Sequence, residues 1–491
     1  MMLIRSRCKL FDIFRVGSLP LYSTEAVVSS PPALEKRILE SGNPKISMVP
    51  ILNQWVEEGK DVTQPQLQRI ITQLSNFRRF THALQVSEWM SNERNYNLTP
   101  GDIAKRLNLI SKVHGLEQAE SFFRGIPDTE IGFKVYAALL SCYAEHKSLE
   151  EAEAIMEKIK KLDLLHLTTC YNMMLKLYAQ IGKYEKLDRL MQEMKEKDIC
   201  NGATFTIRLN AYVAGRDIKG MEKLLMQMEA DPMATVDWCT YTTAANGYLK
   251  IGDFEKALVT LKKSEQLVRG KTMRLAYESI QSMYAAIGNK EEVYRLWDKI
   301  KSFNYSHNSS YISMLSSLVK LDDIDGAEKI LEEWESEHIH FDARIPNLMI
   351  TAYCKRGLLD KAEAYIRRLL DSGKELDGTT WDRLAGGYLM DNDMEKAVQT
   401  MKKAILVNGQ PRWWPNPFTL VACIKYLKEK GDLELALEIL KLCREDGHIS
   451  VTTYDKLVSY VHNEIPVTEA LDLIKGDFKL DEDAQLLVGE N

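Results

Sequence analysis

TTCYNMMLKLYAQIGKYEKLDRLMQEMKEKDI, residues 168–199, reads as two amphipathic helices and the turn between them. Tyr171 and Tyr178 are seven residues apart, which is two turns of an α-helix, so they share one face. The segment IGKYEK at 181–186 breaks the first helix, and a second amphipathic run follows it. The same grammar recurs along the chain. Tyr136 and Tyr143, Tyr241 and Tyr248, and Tyr277 and Tyr284 repeat the seven-residue spacing. IGDFEK at 251–256, IGNKEE at 287–292, RGLLDK at 356–361 and KGDLEL at 430–435 repeat the turn.

The period is measured by pairing the aromatic of the first helix with the small residue of the second. Tyr136 precedes Ala152 by sixteen residues, and the interval returns at Tyr241 and Ala257, Tyr311 and Ala327, Trp381 and Ala397, and Tyr454 and Ala470. The frame places repeat starts at 64, 100, 133, 168, 202, 238, 274, 308, 343, 378, 417 and 451, a mean period of about 35 residues. A single hairpin cannot bury its apolar face alone, so neighbours must stack. The expected fold is all-α: a right-handed superhelical solenoid of about twelve helix-turn-helix repeats over 64–482, its concave surface lined by the first helices. Such a surface suits a long ligand better than a small one. The aromatics read as core packing, and the alanines as the places where the two helices of a hairpin approach closely.

Composition agrees with a folded chain: 491 residues, 45% hydrophobic and 27% charged. The formal charge of −6 excludes a strong general field for nucleic acid, so any such binding must come from a local basic strip. No apolar run reaches 18 residues, so no membrane-spanning helix is expected. The eight cysteines contain no C-x-x-C pair and read as reduced thiols, mostly buried in helices.

Residues 1–22, MMLIRSRCKLFDIFRVGSLPLY, carry Arg5, Arg7, Lys9 and Arg15 against one acid, Asp12, interleaved with apolar residues. A basic amphipathic segment poor in acids is the pattern of an organelle transit peptide. Arginine dominates and serine is sparse, which favours the mitochondrion over the chloroplast; a processing site is expected near Tyr22 and Ser23. Residues 23–63 are expected to be a linker and an N-terminal cap, with 24–50 read as linker. Residues 483–491 are expected to be a short acidic tail, adjoining Asp481 and Glu482.

Two helical repeats of this length compete. Tetratricopeptide repeats place a small residue at position 8, where this chain has Leu140, Leu175, Leu209, Leu315 and Ile350. They also favour a small residue at position 27, where Ile159, Met194, Met228, Ile300 and Trp334 stand, and proline near position 32, which is missing. The units instead resemble pentatricopeptide repeats of the pure (P-type) class, as found in plant organelles, whose consensus runs like VTYNTLI…G…EEA…M. The units at 168–199 and 343–377 carry the resemblance best, and it covers about 85% of the chain.

That resemblance implies single-stranded RNA as partner, one base per repeat, touched by residue 5 of a unit and by its last residue. Polar side chains are needed there, because an apolar one cannot discriminate a base edge. Position by position, Asn347 with Asp377 implies uracil, Thr206 with Asp237 guanine, and Asn172 with Asn201 a pyrimidine. Lys250, Lys320 and Lys355 stand at position 13, where the family contacts phosphate. The remaining pairs depart from the pattern: Ala137 with Leu167, Thr242 with Met273, Glu278 with His307, Ile312 with Asp342, Asp382 with Asn416, and Val421 with Ser450.

No catalytic constellation emerges. Gly270-Lys271-Thr272 ends like a phosphate loop, but position 265 is Glu and no strand precedes it. Zinc-hydrolase and deaminase ligand patterns are missing, and the C-terminal catalytic domain of RNA-editing relatives is expected to be absent. No cofactor and no small-molecule substrate are expected. Arg412, Trp413 and Trp414 in GQPRWWPNP read either as a stacking or docking loop or as local packing. The leading expectation is an organellar RNA-binding scaffold, not an enzyme, acting in transcript maturation, stability or translation by occupying RNA. The alternatives are a structural component of the mitochondrial ribosome, touching ribosomal RNA and proteins, and a protein-interaction solenoid.

Overall fold

The computed structural model describes residues 33–40, 47–161, 167–230, 236–303, 307–337, 340–407, 413–445 and 448–463. Among them are 25 α-helices and no strand. The transit-peptide, processing-site and acidic-tail readings, and Ala470 and Arg412, lie outside the described residues.

The chain divides into two compact units, residues 1–125 and 126–491. The first holds α1 (Ala33–Glu40), α2 (Val49–Glu57), α3 (Gln64–Asn76), α4 (Phe80–Asn92), α5 (Pro100–His114) and α6 (Leu116–Arg124). Part of the stretch read as linker is thus helical: Leu34 and Ile38 of α1 are buried, and Arg79 donates to the Ile38 carbonyl at 3.2 Å.

The second unit continues as helix pairs. They are α7 (Phe133–Glu145) with α8 (Leu149–Lys160), α9 (Leu167–Gln180) with α10 (Tyr184–Glu196), and α11 (Gly202–Gly215) with α12 (Ile218–Ala230). Next come α13 (Trp238–Ile251) with α14 (Phe254–Leu267), α15 (Met273–Ile287) with α16 (Lys290–Lys301), and α17 (Asn308–Lys320) with α18 (Ile324–Ser336). The series ends with α19 (Arg344–Lys355) and α20 (Leu359–Asp371), α21 (Gly378–Met390) and α22 (Met394–Leu406), α23 (Pro417–Lys430) and α24 (Leu433–Glu445), and the lone α25 (Val451–Val461). Each first helix packs on its own partner and on the first helix of the next pair, from α7 through α25, which is the stacking of an α-solenoid. The twelve repeat starts coincide with first-helix starts to within one residue.

Local chemistry explains the regularity. Gly182, Gly252, Gly288, Gly357 and Gly431 take positive φ in the five quoted turns, the left-handed geometry that closes a helix. Ala152, Ala257, Ala327 and Ala397, on the second helices of their pairs, are wholly buried. Leu140, Leu175, Leu209, Leu315 and Ile350 are wholly buried too, each stabilising by roughly 1.5–3 kcal/mol.

A polar ladder joins neighbouring hairpins. The Tyr178 hydroxyl donates to Glu153 at 2.9 Å, and Lys186 pairs with the same carboxylate at 2.6 Å. Tyr248, Lys256 and Glu222 repeat this at 3.0 and 2.7 Å, and Tyr353, Lys361 and Glu328 at 3.0 and 2.7 Å. In each case the glutamate comes from the second helix of the preceding pair. Three periodic lysines are thereby committed to stacking and neutralised.

Burial pushes the Cys170 thiol up to about 11 and those of Cys354 and Cys423 up to about 12, so they are poorly ionised at neutral pH. No helix among the described residues is long and apolar enough to cross a membrane.

Candidate nucleic-acid interface

The predicted reading positions lie where one first helix meets the next. Asn172 is on α9. Asn201 is the N-cap of α11, where its side chain accepts from the Thr204 N–H at 3.0 Å. The Asn172 Nδ2 donates to Asn201 Oδ1 at 3.2 Å. The Thr204 hydroxyl, wholly buried, lies 2.9 Å from Asn172 Oδ1 and 3.0 Å from Asn201 Oδ1.

Asn347 and Asp377 reproduce that arrangement on α19 and α21. Asp377 is the N-cap of α21 and accepts from the Thr380 N–H at 2.9 Å. The Asn347 Nδ2 donates to Asp377 Oδ1 at 3.4 Å, and the buried Thr380 hydroxyl lies 2.7 Å from Asn347 Oδ1 and 2.8 Å from Asp377 Oδ1. Two pairs foreseen from sequence are thus brought together by the same three-residue wiring.

Thr206 and Asp237 are not joined. Thr206 turns its hydroxyl back onto the Gly202 carbonyl at 2.9 Å, as a short side chain inside a helix does. Asp237 caps α13, accepting from the Thr240 N–H at 2.9 Å and the Thr240 hydroxyl at 3.1 Å. Thr242 behaves like Thr206, bonding to the Trp238 and Cys239 carbonyls.

Two further positions share the wiring with other chemistry. Glu278 on α15 accepts from Ser310, the third residue of α17, at 2.6 Å, and from Arg274 at 2.7 Å. Gln68 on α3 donates through Nε2 to Asp102, the third residue of α5, at 2.9 and 3.0 Å. Gln68 stands at position 5 of the unit starting at 64, a position the pairings read from sequence do not include. Asp382 and Asn416 meet differently, the Asn416 backbone N–H donating to Asp382 Oδ1 at 3.1 Å.

Lys250, Lys320 and Lys355 lie in the last turns of α13, α17 and α19, where a cation also complements the helix dipole. They fall eight residues after position 5, about 12 Å along the helix. Gly270–Thr272 is a short 3-10 turn leading into α15. The tryptophan pair splits: Trp413 is buried, edge-on to His448 with ring centroids 5.0 Å apart, while Trp414 is about half exposed. Among the described residues no group of three or more His, Cys, Asp or Glu could hold a metal ion.

Stacked helical hairpins with polar residues recurring at one register define a helical-repeat solenoid. The PPR repeat family matches residues 134–164, 169–199, 239–266, 309–339 and 345–373. The pentatricopeptide repeat-containing protein At2g20710, mitochondrial, of Arabidopsis thaliana is 45% identical over 427 residues, 87% of this chain and 86% of the relative. The Arabidopsis thaliana protein At4g21705, mitochondrial, is 34% identical over 428 residues, 87% of each chain. Among solved structures, the crystal structure of the pentatricopeptide repeat protein PPR10 in complex with an 18-nt psaJ RNA element is 18% identical. It covers 85% of this chain, which spans 58% of that one, with a TM-score of 0.47. The chain belongs to the pentatricopeptide repeat family.

Proposed function

We propose that this chain is a mitochondrial scaffold of the pure (P-type) class that binds single-stranded RNA and acts in transcript maturation, stability or translation by occupying it, without turning it over. The observation that carries the reading is the matched wiring of Asn172 with Asn201 and of Asn347 with Asp377. Two units five repeats apart hold an amide and an N-cap side chain together at the register the family uses for base edges. The mitochondrial assignment is supported by the basic N-terminal segment and by relatives whose names carry that compartment.

A second reading has its own support. In the units between, Glu278 is engaged by Arg274 and Ser310, and position 312 is Ile, so the readers do not form one contiguous block. That interruption favours a groove that grips structured RNA or protein, as a component of the mitochondrial ribosome or a protein-interaction solenoid would. Crosslinking the native protein to RNA inside organelles, followed by sequencing, separates the readings. A footprint on a few transcripts supports the first. Ribosomal RNA alone points to the ribosome, and no crosslinked RNA overturns RNA binding.

A further inference from the structure

Resting on the RNA-binding reading, we propose that Thr380 and Thr204 are positioning residues: each, from the following unit, sets which end of the Asn347 or Asn172 amide is presented to a base. A carboxamide has a donor end and an acceptor end of nearly equal shape, so its recognition value depends on which way it is held. At Asn347 the Oδ1 faces the Thr380 hydroxyl at 2.7 Å and the Nδ2 faces Asp377 Oδ1 at 3.4 Å. Rotating the amide by half a turn would set oxygen against the carboxylate oxygen. At Asn172 the hydroxyl of Thr204 and the Oδ1 of Asn201 impose the same orientation, at 2.9 and 3.2 Å.

The comparison within the chain is Gln68. There the third residue of the following unit is Asp102, an acceptor, and it takes the nitrogen end of the amide at 2.9 Å. The orientation is reversed: a hydroxyl at that place holds the oxygen end, and a carboxylate holds the nitrogen end. The N-cap acceptor and the third residue of the next repeat together therefore decide whether the remaining hydrogen-bonding capacity is richer in donors or acceptors, the threonine hydroxyl donating to the amide oxygen once the N-cap has taken the nitrogen. Thr240 supplies a natural control. It makes the same cap contact, hydroxyl to Asp237 Oδ1 at 3.1 Å, but Thr206 is turned onto Gly202 and receives nothing from it.

The test uses the full chain and a randomised single-stranded RNA library to define the selected sequence. The nucleotide read by Asn347 is the one whose preference disappears with Asn347→Ala. Thr380→Val, which keeps the shape and removes the hydroxyl, is expected to reduce base preference at that nucleotide about tenfold, while Thr380→Ser keeps it. Thr240→Val is expected to lower the melting temperature comparably and leave base preference at that nucleotide unchanged. Undiminished preference in Thr380→Val overturns the proposal. So does equal loss of preference in Thr240→Val, which would make the effect one of helix capping. If the unaltered protein selects no sequence yet binds the library, the positioning role has nothing to act on and is refuted. If it does not bind at all, the RNA-binding reading fails first.

Discussion

Asp382 stands in its unit where Asn347 stands in the preceding one, and its carboxylate Oδ1 accepts the backbone N–H of Asn416 at 3.1 Å. Both residues are buried. An amide at this register tolerates burial, whereas a carboxylate must either lose its charge or find compensation.

Burial pushes the Asp382 carboxyl up to about 7, and the Asn416 N–H and the Arg383 charge offset this only in part. The folded state therefore holds a proton that the unfolded chain releases near pH 4. Native protein binds more protons between those values, so this group makes stability fall as pH rises from about 4 to about 7, on the order of 1–4 kcal/mol. Asp382→Asn removes that dependence while keeping an acceptor for Asn416. Urea unfolding at pH 5 and pH 7.5 checks it: the midpoint should drop more in the unaltered protein than in the variant. Equal drops would mean Asp382 is not the titrating group.

Much of the fold was legible because periodicity is a property of composition at a register, and twelve copies average out local irregularity. The five turn glycines and the buried alanines are each dictated by local geometry, so their spacing located the helices. The site was legible less evenly. Asn172 and Asn347 reach the next helix because an asparagine side chain is long enough. Thr206 satisfied the same sequence rule but is too short, and its hydroxyl finds Gly202 first. The threonines at 204 and 380 gave no signal as part of the site, because a Thr three residues after an N-cap reads as ordinary capping. Trp413 and Trp414 look alike as a dipeptide; only the packing of the following segment, with His448 against Trp413, separates them.

The ladder between hairpins yields a second prediction. Tyr353 donates to Glu328 at 3.0 Å from a buried position, so Tyr353→Phe should cost about 1 kcal/mol. Lys361 pairs with the same carboxylate at 2.7 Å but is half exposed, so Lys361→Met should cost less than about 0.5 kcal/mol. Chemical-denaturation midpoints of the two variants give the order. A larger loss for the lysine would place the energy in the ion pair and contradict this account.

The turns give a third. Arg216, exposed, takes φ 58° at the end of α11, where five other turns place glycine. A left-handed conformation costs a side-chain-bearing residue roughly 1–2 kcal/mol. Arg216→Gly should therefore raise stability by about 0.5–1 kcal/mol, and Gly252→Arg should lower it by a similar amount. Thermal melts of both single variants decide the matter, and destabilisation by Arg216→Gly would show that its side chain holds the turn.

The last prediction builds a reader where the chain has an incomplete one. Asp237 already caps α13, and Thr240 already supplies the hydroxyl; the element lacking is a long enough side chain at 206. Thr206→Asn should reach both groups and give its unit the wiring seen at Asn347, Asp377 and Thr380. Base preference at the corresponding nucleotide should then move toward that of the unit starting at 343, by about tenfold, since one base-edge pairing is worth roughly 1–3 kcal/mol. The change should be confined to that nucleotide. Lys355→Ala should act in the opposite manner, weakening every RNA alike and reducing the salt slope by about one, because a phosphate contact carries no base information. Binding curves at fixed salt against RNAs differing at one site distinguish the two behaviours. If Thr206→Asn remains folded and bound to RNA with its preference unmoved, reading by single units does not operate in this chain, and recognition must rest on RNA shape or on protein contacts.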